Sequence, residues 1–232
     1  MKLLHSVFAL GVLFTICWST VTPSLLADEP ATLSVATSKP PEEVAEPIRA
    51  SLDDKVLKLS SGGKPFFEFW FRKALPLATQ PADGMLAPET LTEGAVLGVL
   101  RVDENRRDFR DEELPKGIYV IRLGLQPEDG NHQGSAPSRT FALLIPAKQD
   151  TKLEPLPRKE LLKAASATNA AHHPSNLNLQ PVDSTDGQFP RLGDLNDGKH
   201  QVVLLKLPAR MGEKGDATPL TFALVYAGTG NI

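Results

Sequence analysis

Four side chains combine residue types and grouping that suit a divalent metal. Asp129 and His132 lie three residues apart, and His172 and His173 follow about forty residues later. Carboxylate oxygen and neutral imidazole nitrogen match zinc or a related ion. Adjacent histidines rarely serve one ion, so at most one of that pair joins the set. A plainer reading competes: Asp129-Gly130-Asn131 makes a turn, and His132 bonds the loop backbone. The expectation is an ordered polar knot of Asp129, Asn131 and His132 that chiefly braces its loop. A ligand-binding surface or a metal site at the same residues is the alternative. Trp70 is the other candidate ligand contact, as an aromatic platform for carbohydrate; its competing role is packing beneath a loop or helix.

Other chemistries find little support. There is no Gly-x-Ser-x-Gly elbow and no His-Glu-x-x-His run. Ser135 and Ser138 near His132 are commonplace for a loop. Gly62-Gly63-Lys64 has hairpin-turn character and the wrong spacing for a phosphate loop. Asp183-Ser-Thr-Asp-Gly and Asp194-Leu-Asn-Asp-Gly loosely resemble cation loops. Neither has the alternating ligands and closing Glu of a calcium site, so both read as turns. No catalytic residue is assigned, and the chain is not expected to be an enzyme.

The elements that position these groups read as strands. Gly117 to Leu125 alternates with Tyr119, Ile121, Leu123 and Leu125 on one face, after a Pro115–Gly117 turn. Residues 138–146 return with Phe141, Leu143 and Ile145 on one face, so the polar loop 126–139 tips a hairpin. Phe67, Phe69 and Phe71 alternate with Glu68, Trp70 and Arg72, the strongest period-two signal in the chain. Further strands are expected near 55–59, 96–102, 201–207 and 220–226, with a brief edge strand at 177–179. Residues 103–113 read as a charged, solvated connection, with a short exposed strand as an option. Pro157 to Ala167 is the one good helix candidate, and His172-His173-Pro174 follows it. The count is about seven strands and one short helix. That suits an antiparallel β-sandwich, immunoglobulin-like or jelly-roll-like, with a β-barrel as the alternative. Phe67, Phe69, Phe71, Tyr119, Ile121, Leu123, Phe141, Leu143, Leu205, Phe222 and Leu224 are expected to share one core.

Residues 1–27 carry a secretory signal pattern: Lys2, an apolar stretch to Trp18, then Leu25-Leu26-Ala27. The stretch falls short of the ~20 residues a spanning helix needs. Cleavage after Ala27 is expected, with a lipid anchor at Cys17 as the alternative. Cleavage removes the one cysteine and with it any disulfide. The protein is therefore expected to be secreted or periplasmic, with no integral membrane segment. The chain has 25 basic and 28 acidic residues, a net charge of −3, and no basic stripe. Nucleic acid is thus not an expected partner. Residues 28–47, with Pro30, Pro40, Pro41 and Pro47, read as a flexible linker, and 48–232 as a single β-sandwich domain.

Three runs carry a resemblance: Phe67-Glu-Phe-Trp-Phe-Arg-Lys, Leu97-Gly-Val-Leu-Arg, and Gly117-Ile-Tyr-Val-Ile-Arg-Leu-Gly-Leu-Gln-Pro-Glu-Asp-Gly-Asn-His-Gln-Gly. With His173-Pro174 they resemble a group of secreted bacterial proteins across residues 55–228. The resemblance implies a β-sandwich-like fold and no established activity. The expected function is a non-catalytic binding module for an unknown protein or small molecule. A metal-binding protein or metal-dependent enzyme using the 126–139 loop is the alternative.

Overall fold

Period-two apolar patterns pair into one extended antiparallel sheet in the computed structural model. It describes residues 29–80, 87–127, 136–170, 172–182, 185–212 and 214–230. The strands are β1 (Thr32–Thr37), β2 (Leu52–Ser61), β3 (Lys64–Arg72), β4 (Leu75–Leu77), β5 (Val96–Val102), β6 (Arg106–Arg107), β7 (Glu113–Leu114), β8 (Gly117–Leu125), β9 (Thr140–Pro146), β10 (Asn176–Pro181), β11 (Arg191–Leu195), β12 (His200–Met211) and β13 (Thr218–Ala227). The helices are α1 (Glu46–Ser51) and α2 (Arg158–Ala165). The main sheet runs β1-β2-β3-β5-β8-β9-β10-β13-β12-β11 with every neighbour antiparallel. β4 adds in parallel to the far end of β12, and β6–β7 forms a separate hairpin.

The sheet folds back on itself, so one face becomes the interior. Leu59, Phe67, Phe69, Leu100, Ile121, Leu123, Leu179, Leu205, Phe222 and Leu224 are buried in one cluster there. These residues alternate along their strands, and burying the apolar face drives the fold. β1 and β11 are the two edges, and the ladder between them does not close among the described residues. The all-β antiparallel expectation therefore holds.

Parts of the outer face are covered too. Over β3, β5 and β8, α1 and its flanks bury Val44, Ile48 and Leu52 against Trp70, Val99 and Val120. Over β9, β12 and β13, α2 buries Leu161 and Ala165 against Leu143, Ile145, Val202, Ala223 and Val225.

Several expectations are corrected. The stretch 28–47, expected as a flexible linker, carries β1, whose six residues pair with β2 from Thr32↔Ser60 to Thr37↔Lys55. Its prolines flank the strand rather than interrupt it, and Thr and Val favour extended backbone. The charged connection 103–113 is a hairpin with Asp108 and Phe109 buried. Residues 177–179 lie in a central strand between β9 and β13, not at an edge. Phe141 and Leu143 face outward toward α2, while Ala142 and Leu144 join the inner core. The run Phe141-Ala-Leu-Leu-Ile is apolar at every position, so alternation could not choose its inner face. Phe71 is only partly buried against the core. The strands number thirteen among the described residues, and most of those added are short.

Candidate binding cleft

At one end of the sandwich the strands leave an open cleft of about 1010 Å³. Glu29, Pro30 and Ala31 approach it from the β1 side, and Leu192, Gly193 and Asp194 of β11 from the other. The β6–β7 hairpin and the end of β13 supply the remaining walls. The cleft thus sits where the two sheet edges meet without pairing.

The hairpin wall is pinned by Asp108. Its Oδ1 accepts the backbone N–H of Arg110 at 2.8 Å and of Glu112 at 3.0 Å. Its Oδ2 accepts the N–H of Asn176 on β10 at 3.2 Å. The side chain replaces water for three backbone donors while only 2% of Asp108 is exposed. Burial raises its pKa, and the three N–H bonds oppose that rise without cancelling it. Phe109 follows it into the outer layer, 6.4 Å from Phe141 and 5.3 Å from the His200 ring. The Phe109 backbone is held at both ends, its N–H by Asn176 O and its O by Gly230 N–H.

His200 is the titratable neighbour of this wall. Its Nε2 faces the Thr229 carbonyl at 3.1 Å, so that nitrogen donates. Its Nδ1 faces the amide nitrogens of Asn196 at 2.7 Å and Gln180 at 3.1 Å, so that nitrogen accepts. These contacts fix the ring, with Nε2 toward the Thr229 carbonyl and Nδ1 toward the two amides. With both nitrogens engaged and 4% exposure, the ring braces the cleft rim.

The aromatic wall is also packed. The Arg106 guanidinium lies 4.2 Å from the Phe66 ring centroid and pairs with Glu104 at 2.6 Å. The Arg106 Nε is buried with no acceptor among the described residues. Phe66 and Tyr226 rings lie 6.1 Å apart, and the Tyr226 hydroxyl donates to Gln201 Oε1 at 3.1 Å. Burial raises the Tyr226 pKa. Asp194 and Glu29 bring exposed carboxylates to the mouth.

A second polar centre lies far from the cleft, in the middle of β8. Arg122 is fully buried and grips Asp150 bidentately, Nε to Oδ2 at 2.6 Å and Nη2 to Oδ1 at 2.8 Å. Its Nη1 donates to Gly94 O at 2.6 Å and Glu154 O at 2.9 Å, and its Nη2 also donates to Lys152 O. All five guanidinium N–H donors are satisfied. This centre ties the 150–154 segment to the sheet and offers nothing to solvent.

Asp129, Asn131 and His132 lie outside the described residues, so the polar knot and their metal role stay expectations. His172 and His173 are both exposed after α2, with His172 in a left-handed conformation at φ 57°. Among the described residues no three His, Cys, Asp or Glu side chains gather as a metal set. Trp70 is corrected as a platform. It is 1% exposed, its indole N–H donates to Ser38 O at 2.8 Å, and Arg101 lies 5.3 Å from its ring. The segment leading into α1 covers the outer face on which Trp70 sits. Asp194-Leu-Asn-Asp-Gly is the β11–β12 turn, with Asn196, Asp197 and Gly198 at positive φ.

Sequence reasoning passed over Asp108, His200 and Arg122. Arg122 had a signal: a lone charge amid the apolar run Ile118 to Leu125. Asp108 had less, because Phe109 was the one large apolar residue in a charged stretch. No family model matches the chain, and no curated protein or solved structure matches it.

Proposed function

We propose that the protein is an exported, non-catalytic binding module whose ligand occupies the end cleft. The observation that supports this is the cleft itself, open to solvent and walled by hydrogen-bonded strands and a pinned hairpin. Concave surfaces of this size on a rigid scaffold are where ligands are usually held. Its buried ionisable groups Asp108 and Tyr226 are engaged, Asp108 by backbone N–H donors and Tyr226 by Gln201. The polar mouth suits a small polar molecule or an extended segment of a partner protein. Export rests on the leader pattern of residues 1–27, which N-terminal sequencing checks by a start near Asp28.

The test is an NMR titration of the labelled protein with a panel of oligosaccharides, short peptides and zinc. The proposal expects shifts at Arg106, Asp194, Gln201 and Thr229, weakened in Asp194→Ala and Gln201→Ala. Zinc-driven shifts confined to 126–139, or turnover of a panel compound, would overturn it.

A further inference from the structure

The two edges of the sheet are guarded very differently. β11 carries Arg191 and Asp194 within five residues, and Pro190 precedes it. Charges and prolines are the usual means by which an edge strand refuses a new neighbour. β1 has the sequence Thr-Leu-Ser-Val-Ala-Thr. It holds no charge and no proline, and its ladder to β2 runs six residues without a bulge. Ser34 to Thr37 are all exposed, and Val35, at 52%, is one of two exposed large apolar side chains among the described residues. Alternate residues of an edge strand direct their N–H and C=O groups away from the sheet.

We infer that β1 is an interaction edge and that its occupant is β1 of a second copy of this chain, paired antiparallel about a two-fold axis. The charge pattern favours a copy. An antiparallel pair centred on Ala36 sets Ala36 opposite its own copy and Val35 opposite Thr37, with no charge among these pairs. One uncharged, proline-free end strand of the main sheet per chain, among the described residues, also gives closure. Two chains satisfy each other, and the guarded β11 edge stops the sheet from growing into a filament. Pro30 before the strand, and Pro40 and Pro41 after it, limit the added ladder to β1 itself. The end of β1 nearest β11 lies toward the cleft, so the pairing uses the Ser34–Thr37 half. So short a ladder falls below the ~1,200 Å² of a stable interface. The association is therefore weak and concentration-dependent.

The experiment is sedimentation equilibrium of the purified protein from about 1 to about 500 µM, a range that brackets weak association. Val35→Lys and Thr37→Lys each place like charges in the paired ladder, while Asp194→Lys alters the other edge. The expected result is a reversible dimer whose dissociation constant rises about tenfold or more in both β1 variants and is unchanged in Asp194→Lys. Thermal melting confirms that each variant is folded, and either β1 variant suffices if the other is not. A monomer across the whole range, a dimer indifferent to both β1 variants, or an open-ended polymer would overturn the inference.

Discussion

Asp150 and Asp108 lie in the two covered patches of the outer face, and the cost of burying each is neutralised differently. On the β8 side, Asp150 meets the full guanidinium of Arg122, and carbonyls take the remaining N–H groups. On the β10 side, the Asp108 carboxylate takes backbone N–H donors from Arg110, Glu112 and Asn176. The first is a charge pair that locks a loop to the middle of a strand. The second is a cap that folds a hairpin and hangs it over the sheet as the cleft wall. A buried acid can therefore be held by a cation or by oriented backbone, and at Asp108 burial raises the pKa against the pull of its N–H donors.

The sharpest way to break the comparison is to remove the cation. Arg122→Ala leaves Asp150 buried without its partner and should cost about 3–5 kcal/mol by urea unfolding. A loss near zero would mean that water or another group takes over, and the two patches would not differ as described. Phe69→Ala supplies the inner-core yardstick. Phe69 is fully buried, edge-on to Phe67 and stacked on Phe71 with ring centroids 5.8 Å away in each case, so its truncation should cost about 3–5 kcal/mol. A much smaller loss would show that the core collapses readily around the gap.

Asp108→Ala is the matching test on the other patch. It strips the acceptor from three backbone donors and should cost about 2–3 kcal/mol, less than the loss at Arg122. The smallest effect is the pH dependence. The folded pKa of Asp108 is raised above its ordinary 3.8, so the folded state binds this proton more tightly than the unfolded chain. Its contribution is fully present below about pH 4 and is lost as pH rises through the folded value. The difference in stability between wild type and Asp108→Ala should therefore narrow as pH rises across that window. A difference that widens would reverse the assigned cause.

Much of the inner core was legible in sequence because one face of each strand is apolar and the other is not. Phe67, Phe69, Ile121, Leu205 and Leu224 announce themselves by alternation. The outer layer was not, because its covering depends on which segments return over the sheet. Phe141 and Leu143 could have faced either way, and Asp108 resembled its exposed acidic neighbours. Tyr119 shows an intermediate case. The Pro115–Gly117 turn was readable, but not that its hydroxyl donates back to Pro115 O at 2.6 Å, where burial pushes its pKa up to about 12. The cleft was least legible, since it forms from chain ends and edges that no local pattern brings together.

Asp108 builds the cleft wall by holding backbone. Native-state hydrogen exchange of Arg110, Glu112 and Asn176 amides, in wild type and in Asp108→Ala, tests it directly. Strong protection is expected at all three in wild type. In the variant this protection should collapse while the Leu123 amide, bonded to Ala95 O in the sheet, stays protected. Exchange at Arg110 and Glu112 as fast in wild type as in the variant would contradict it.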